Sequence, residues 1–128
     1  MPTFPLKSYQ QAALDTLTAF TQAAQVKGAP LAFGELARRA YNPDPFGPDV
    51  PCVCLRIPTG GGKTLLAAHA VPLLARHWRA SDAPVAVWLV PSETIRAQTL
   101  TALQTPGHPY RQPLADGNSL PVVPLVPA

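Results

Sequence analysis

Three consecutive glycines, Gly60, Gly61 and Gly62, follow a short apolar run and precede a helical pattern that begins with Lys63 and Thr64. Glycine has no Cβ and adopts positive φ freely, so such a run can turn sharply and aim successive N–H groups inward as an anion-binding nest. The first turn of the following helix adds unpaired N–H groups and the positive end of the helix dipole. The loop is therefore predicted to bind the phosphates of a nucleoside triphosphate, with ATP expected. Its residues are Pro58, Thr59, Gly60, Gly61, Gly62, Lys63 and Thr64.

Lys63 and Thr64 are the candidate catalytic residues of this loop. The Lys63 ammonium would bind the β- and γ-phosphates, and the Thr64 hydroxyl would be a Mg²⁺ ligand beside phosphate and water oxygens. Ile57 occupies the position of the first glycine in the pattern G-x-x-x-x-G-K-[ST]. The alternative interpretation is a glycine-rich turn with an incidental lysine, but a turn needs a single glycine at positive φ rather than a run of them.

Capping residues and apolar spacing predict helices over residues 9–27, 33–41, 63–79 and 93–103. Ser8 and Ser92 are the predicted N-caps of the first and last helices, and Gly28 should end the first. Pro72 falls inside the third helix and should kink it near residues 68–69. The first helix is predicted to bury the apolar residues Ala13, Leu17, Phe20 and Ala24.

Residues 52–57 and 85–90 are short runs of apolar and β-branched residues, which are typical of buried strands. Residues 42–51 hold four prolines and a glycine and should be irregular. The order strand, loop, helix, strand, helix predicts an α/β fold, with a parallel sheet and flanking helices. Residues 1–105 should form this unit, and residues 106–128, with six prolines, should form an irregular tail.

Composition restricts the function only loosely. The net charge is +3 and the basic residues are scattered, which suits a nucleic-acid partner without requiring one. Residues 1–6 carry no secretory signal, and no apolar segment approaches the ~20 residues needed to cross a bilayer. Cys52 and Cys54 would lie on one face of the predicted strand, at a spacing poorly suited to a mutual disulfide. We therefore expect a cytoplasmic protein with no membrane partner.

Two further segments resemble helicase motifs. Residues 6–13, Leu-Lys-Ser-Tyr-Gln-Gln-Ala-Ala, resemble the Leu-Arg-x-Tyr-Gln-x-x-Ala start of superfamily 2 helicases. That resemblance implies that Gln10 reads the adenine edge, because an amide both donates and accepts hydrogen bonds. Residues 87–100 resemble helicase motif Ia, although Glu93 stands where DEAD-box relatives place an arginine. The nucleic-acid contacts implied there are Ser92, Thr94 and Gln98, with the helix cap an equal explanation for the serine.

Together with the glycine loop, these segments are most similar to the restriction-subunit branch of the DEAD/DEAH-like helicases. This branch comprises the relatives of the type III restriction endonuclease Res subunit. The resemblance covers roughly residues 6–103 and implies part of a RecA-like P-loop NTPase lobe that uses ATP and Mg²⁺. It also implies DNA rather than RNA as the nucleic acid, and a modification methyltransferase subunit as a partner.

Some parts of such a motor are missing from the sequence. No Asp-Glu-x-[His/Asp] run follows residues 87–100 to hold Mg²⁺ from its second side. We therefore expect a truncated or partial first lobe that binds nucleotide weakly and does not hydrolyse it alone. The loop by itself leaves two alternatives, another P-loop ATPase or nucleotide kinase, and a non-enzymatic nucleotide-binding module.

Overall fold

The computed structural model describes residues 4–42, 46–47, 49–115 and 120–125. Within these ranges every regular element is helical. The elements are α1 (Ser8–Lys27), α2 (Ala29–Ala37), α3 (Lys63–Leu74), a π-helical segment (Ala75–Arg79), α4 (Glu93–Gln104) and α5 (Gln112–Ala115). None of the described helices combines the length and the apolar character that crossing a lipid bilayer requires.

The prediction of an α/β fold with a RecA-like parallel sheet is wrong for the described part of the chain, which contains no strand. A strand is defined by backbone hydrogen bonds to a neighbour, whereas composition reports only that a segment suits a buried, pleated surface. Residues 52–57 and 85–90 have that composition, yet no described segment pairs with either of them. Most of their apolar side chains are exposed instead, with Val85 at 97% and Leu89 at 88%.

Helix α1 confirms the predicted helix and its end. Its N-cap is Lys7, so Ser8 is the first helical residue rather than the cap. Gly28, with a φ of 85°, ends the helix as predicted. Leu17, Phe20 and Ala24 are buried as expected, while Ala13 is only half-buried. The buried stripe has helical spacing and comprises Gln10, Leu14, Leu17, Phe20, Thr21 and Ala24.

Helix α2 packs on the second half of α1. It begins at Ala29, earlier than predicted, because Pro30 in its first turn needs no intrahelical N–H partner. The two helices share a first cluster, formed by Phe20, Ala24, Ala29 and Ala32. The ring of Phe33 packs against this cluster and contacts the Phe20 ring edge-on, with ring centroids 6.4 Å apart.

Helix α3 and the π-helical segment together span the predicted helix over residues 63–79. Pro72 lies inside α3 and cannot donate a hydrogen bond to the preceding turn. Shortly after Pro72 the backbone hydrogen bonds change to the π-helical pattern, and the N–H of Ala80 donates to the carbonyl of Ala75, five residues earlier. The chain therefore stays helical past the proline, with a wider turn at its end.

A second cluster joins the middle of α3 to the proline-rich region. Its buried members are Ala68, Leu103 and Leu114. Leu114 belongs to α5, a short helix in a region that the sequence indicates to be irregular. The partly buried Trp88 and Tyr110 pack against this cluster. Part of the proline-rich region therefore contributes to the packing that holds α3 and α4 together.

Replacing Leu114 with alanine is expected to loosen this second cluster. A leucine-to-alanine change in a packed site costs about 2–5 kcal/mol. Amide exchange in α5 and in the last turn of α4 should therefore accelerate by at least roughly tenfold when measured by mass spectrometry. The control is Leu125→Ala, at a leucine that is 80% exposed, and it should leave exchange unchanged. Identical exchange in the Leu114→Ala variant and the unchanged chain would contradict the packing role.

Candidate phosphate-binding site

The loop before α3 begins with a tight turn. The N–H of Gly61 donates to the carbonyl of Pro58 over 2.9 Å. Gly60, the third residue of this turn, has a φ of 78°, as a type II turn requires. Gly62 has a φ of 84° and a ψ of 39°, whereas Gly61 between them has no positive φ. Alternation of right- and left-handed residues is the backbone pattern of an anion-binding nest.

The N–H groups at the start of α3 face away from the body of the helix. Its first helical hydrogen bond runs from the N–H of Leu66 to the carbonyl of Gly62, over 2.9 Å. In the described part of the chain, the N–H groups of Gly62, Lys63, Thr64 and Leu65 donate to no protein acceptor. Unpaired N–H groups and the positive end of a helix dipole are the features that favour an anion at such a loop.

Space requires a glycine at position 61, whereas both space and a positive φ favour one at position 62. A Cβ on Gly61 would lie 2.5 Å from Cγ2 of Ile57 and 2.8 Å from the carbonyl oxygen of Pro58. A Cβ on Gly62 would lie 2.5 Å from Nε2 of Gln10. Gly60 has open space around it and is needed only for its positive φ. Each glycine of the run is thus explained by a steric or a conformational requirement at its own position.

The first turn of α1 contacts the loop through two side chains. Nε2 of Gln10 donates to the carbonyl oxygen of Gly61 over 3.0 Å, and the Tyr9 hydroxyl donates to the same oxygen over 2.9 Å. Oε1 of Gln10 accepts from the N–H of Lys7 over 2.9 Å. Gln10 is only 5% exposed, so both ends of its amide are engaged within the protein. An adenine contact would require Gln10 to release Gly61.

Tyr9 is the functional candidate that the sequence analysis did not identify. Its signal in the sequence is its match to the tyrosine of the Leu-Arg-x-Tyr-Gln-x-x-Ala pattern, directly before Gln10. A tyrosine on the first turn of an amphipathic helix is ordinarily read as a packing residue. Its hydroxyl contact with Gly61 depends on how α1 lies against α3, which spacing within either segment does not specify.

The Lys63 side chain is exposed and the Thr64 side chain is half-buried. Among the described residues the ion pairs join Lys27 to Glu35 and Arg96 to Glu93, so no carboxylate there neutralises Lys63. The described residues also contain no group of three or more His, Cys, Asp or Glu that could hold a metal ion. A Mg²⁺ ion at this loop would therefore have the Thr64 hydroxyl, phosphate and water as ligands, a set that suits Mg²⁺.

The predicted nucleic-acid contacts lie on α4, apart from the loop. Oγ of Ser92 accepts from the N–H of Ile95 over 3.3 Å, which confirms it as the N-cap. Thr94 and Gln98 are exposed on this helix, and no hydrogen bond in the described chain joins α4 to the loop. Arg96 donates to Glu93, and this hydrogen bond lowers the pKa of the Glu93 carboxyl.

The structure thus brings Gln10 and residues 58–64 into one site and leaves the residues of α4 outside it.

A family model described as type III restriction enzyme, res subunit, matches residues 3–119 of the chain. No curated protein and no solved structure matches it. The matched range contains α1 to α5, the glycine loop and both helicase-like segments. The resemblance to the restriction-subunit branch is thereby confirmed, and the chain belongs to the type III restriction enzyme res subunit family of helicase-like ATPases.

Proposed function

We propose that residues 58–64 bind the triphosphate of Mg²⁺-ATP, and that the chain is the nucleotide-binding part of an ATP-dependent DNA translocase or helicase. The observation that carries the proposal is the backbone of the glycine loop. Gly60 and Gly62 have positive φ, and the carbonyl of Gly61 between them points to α1. The N–H groups that follow along the chain are free to donate. A polyphosphate is the ligand whose charge and oxygen acceptors match such a loop.

Each residue of the loop has a separate task in this proposal. The N–H groups of Gly62, Lys63 and Thr64 surround the β-phosphate, and the Lys63 ammonium adds a full charge between the β- and γ-phosphates. The Thr64 hydroxyl is a ligand of Mg²⁺, which neutralises phosphate charge when bound. Leu65 and Leu66 are buried and anchor the first turn of α3, so these donors are held in place before the ligand arrives.

Recognition of the base is assigned to Gln10, whose amide would bind the adenine edge after leaving Gly61. Hydrolysis is not assigned to this chain alone. It requires a residue that orients the attacking water, and no carboxylate of the described residues forms a hydrogen bond or an ion pair with the loop. We expect the 128-residue chain to bind nucleotide without turning it over.

DNA and a modification methyltransferase subunit are the proposed partners of the assembled motor. Support for DNA comes from family membership and from α4, which presents Thr94 and Gln98 to solvent beside the Ser92 cap. Helix N-termini and side-chain hydroxyls commonly contact the nucleic-acid backbone. Arg96 is paired with Glu93, so its charge is neutralised at the start of α4. Contacts between this end of α4 and DNA phosphates would therefore use neutral donors.

Lys63→Ala is expected to weaken binding of a fluorescent ATP analogue by at least about tenfold, because hydrogen bonds to charged groups contribute about 1.5–3 kcal/mol. Fluorescence anisotropy with Mg²⁺ present measures the affinity. Lys27→Ala is the matched control, because Lys27 is paired with Glu35 at the far end of α1. Equal affinity in the Lys63→Ala variant and the unchanged chain would sink the proposal.

The adenine role of Gln10 is tested by comparing ATP with GTP. If Gln10 reads adenine, the chain prefers ATP, and Gln10→Ala reduces that preference toward equality. If Gln10 only holds Gly61, the variant binds both nucleotides more weakly by the same factor. Competition of each nucleotide against the fluorescent analogue distinguishes the two results. An unchanged preference in the variant would contradict the base-reading role while leaving the phosphate site intact.

A further inference from the structure

We propose that Tyr9 is a positioning residue of the phosphate site. Its hydroxyl, beside the Gln10 amide, fixes the peptide between Gly61 and Gly62 so that the Gly62 N–H is presented to a bound polyphosphate. The inference rests on the proposed function of the loop. It assigns a task to a side chain that touches no nucleotide and acts only through the backbone.

The geometry starts from a carbonyl with two donors. The Gly61 oxygen accepts from the Tyr9 hydroxyl at 2.9 Å and from Nε2 of Gln10 at 3.0 Å. A carbonyl oxygen has two lone pairs, so these donors occupy its accepting capacity. In a planar trans peptide the C=O and the next N–H point in opposite directions. With the Gly61 carbonyl held toward α1, the Gly62 N–H points away from α1.

The orientation of the peptide between Gly61 and Gly62 needs to be fixed by hydrogen bonds, because both of its residues are glycines. Without a Cβ on either residue, the peptide has little steric barrier to rotation. A rotated peptide would turn the Gly61 carbonyl oxygen toward the phosphate, where two negative groups would repel. It would also withdraw the Gly62 N–H from the run of free donors that continues through Lys63. Holding the orientation before the ligand binds reduces the cost of binding.

Tyr9 provides a hold that is independent of Gln10. The Gln10 amide also accepts from the N–H of Lys7, and it is nearly fully buried. Tyr9 is 43% exposed, and its hydroxyl contacts the loop at the Gly61 oxygen. Both donors sit on the first turn of α1, which Leu14 and Leu17 anchor in the interior. The position of the hydroxyl is therefore fixed by the packing of α1.

The test compares Tyr9→Phe with Tyr110→Phe in the full chain. Each variant loses one hydroxyl and keeps its ring, and no hydrogen bond of the Tyr110 hydroxyl exists among the described residues. Affinity is measured for ATP, GTP and inorganic tripolyphosphate. Tyr9→Phe should weaken all of them by a common factor of roughly three to ten, the range expected for one neutral hydrogen bond. Tyr110→Phe should change none of them.

A spectroscopic readout separates positioning from a general loss of structure. In the ¹⁵N-labelled chain, saturating tripolyphosphate should move the Gly62 amide proton downfield, and the movement should be smaller in Tyr9→Phe. A double variant with Gln10→Ala should lose at least the product of the two single factors in tripolyphosphate affinity, because either donor alone can still hold the Gly61 carbonyl.

The outcomes distinguish the inference from the function on which it depends. If the unchanged chain binds neither ATP nor tripolyphosphate, the proposed function fails. If it binds both, and Tyr9→Phe binds them equally well with the same Gly62 shift, only the positioning role is overturned. A loss confined to ATP would assign Tyr9 to the base rather than to the loop, and would also overturn it.

Discussion

The contact between the first turn of α1 and the Gly61 carbonyl is the interaction on which the site depends. It joins residues that are 51 and 52 positions apart in the sequence, and it does so without a sheet. In the described chain the loop is held on one side by α1 and on the other by the buried first turn of α3. The geometry of the proposed phosphate site is therefore a product of helix packing, and its precision depends on how firmly α1 lies against α3.

Ile57 illustrates how one departure from a motif is matched by another feature of the chain. A larger residue stands where the strict pattern has its first glycine, and its Cγ2 occupies the space that a side chain at position 61 would need. The loop keeps its path because Gly61 has no side chain. The central glycine of the run thus has a steric explanation, and the positive φ of Gly60 and Gly62 explains the other two.

The helices and the loop could be predicted from the sequence because their signals are local. Gly28 ends α1 and Ser92 caps α4 through bonds within a few residues, so spacing alone identified them. The sheet could not be established in this way, since pairing is a relation between distant segments. The same holds for the Tyr9 hydroxyl and for Leu114, whose partners lie on other helices. The larger gap is therefore in long-range contacts, although the local signals also misplaced the start of α2 and missed α5.

The side chains of Val85, Val87 and Leu89 are largely exposed, and the backbone of residues 85–90 makes no hydrogen bond within the described chain. A row of this kind attracts extended segments of other molecules through both its side chains and its backbone. With 13% charged residues and a net charge of +3, the chain has little electrostatic repulsion to oppose this. Self-association should consequently increase as protein concentration rises, and sulfate, which strengthens apolar association, should lower the solubility of the chain.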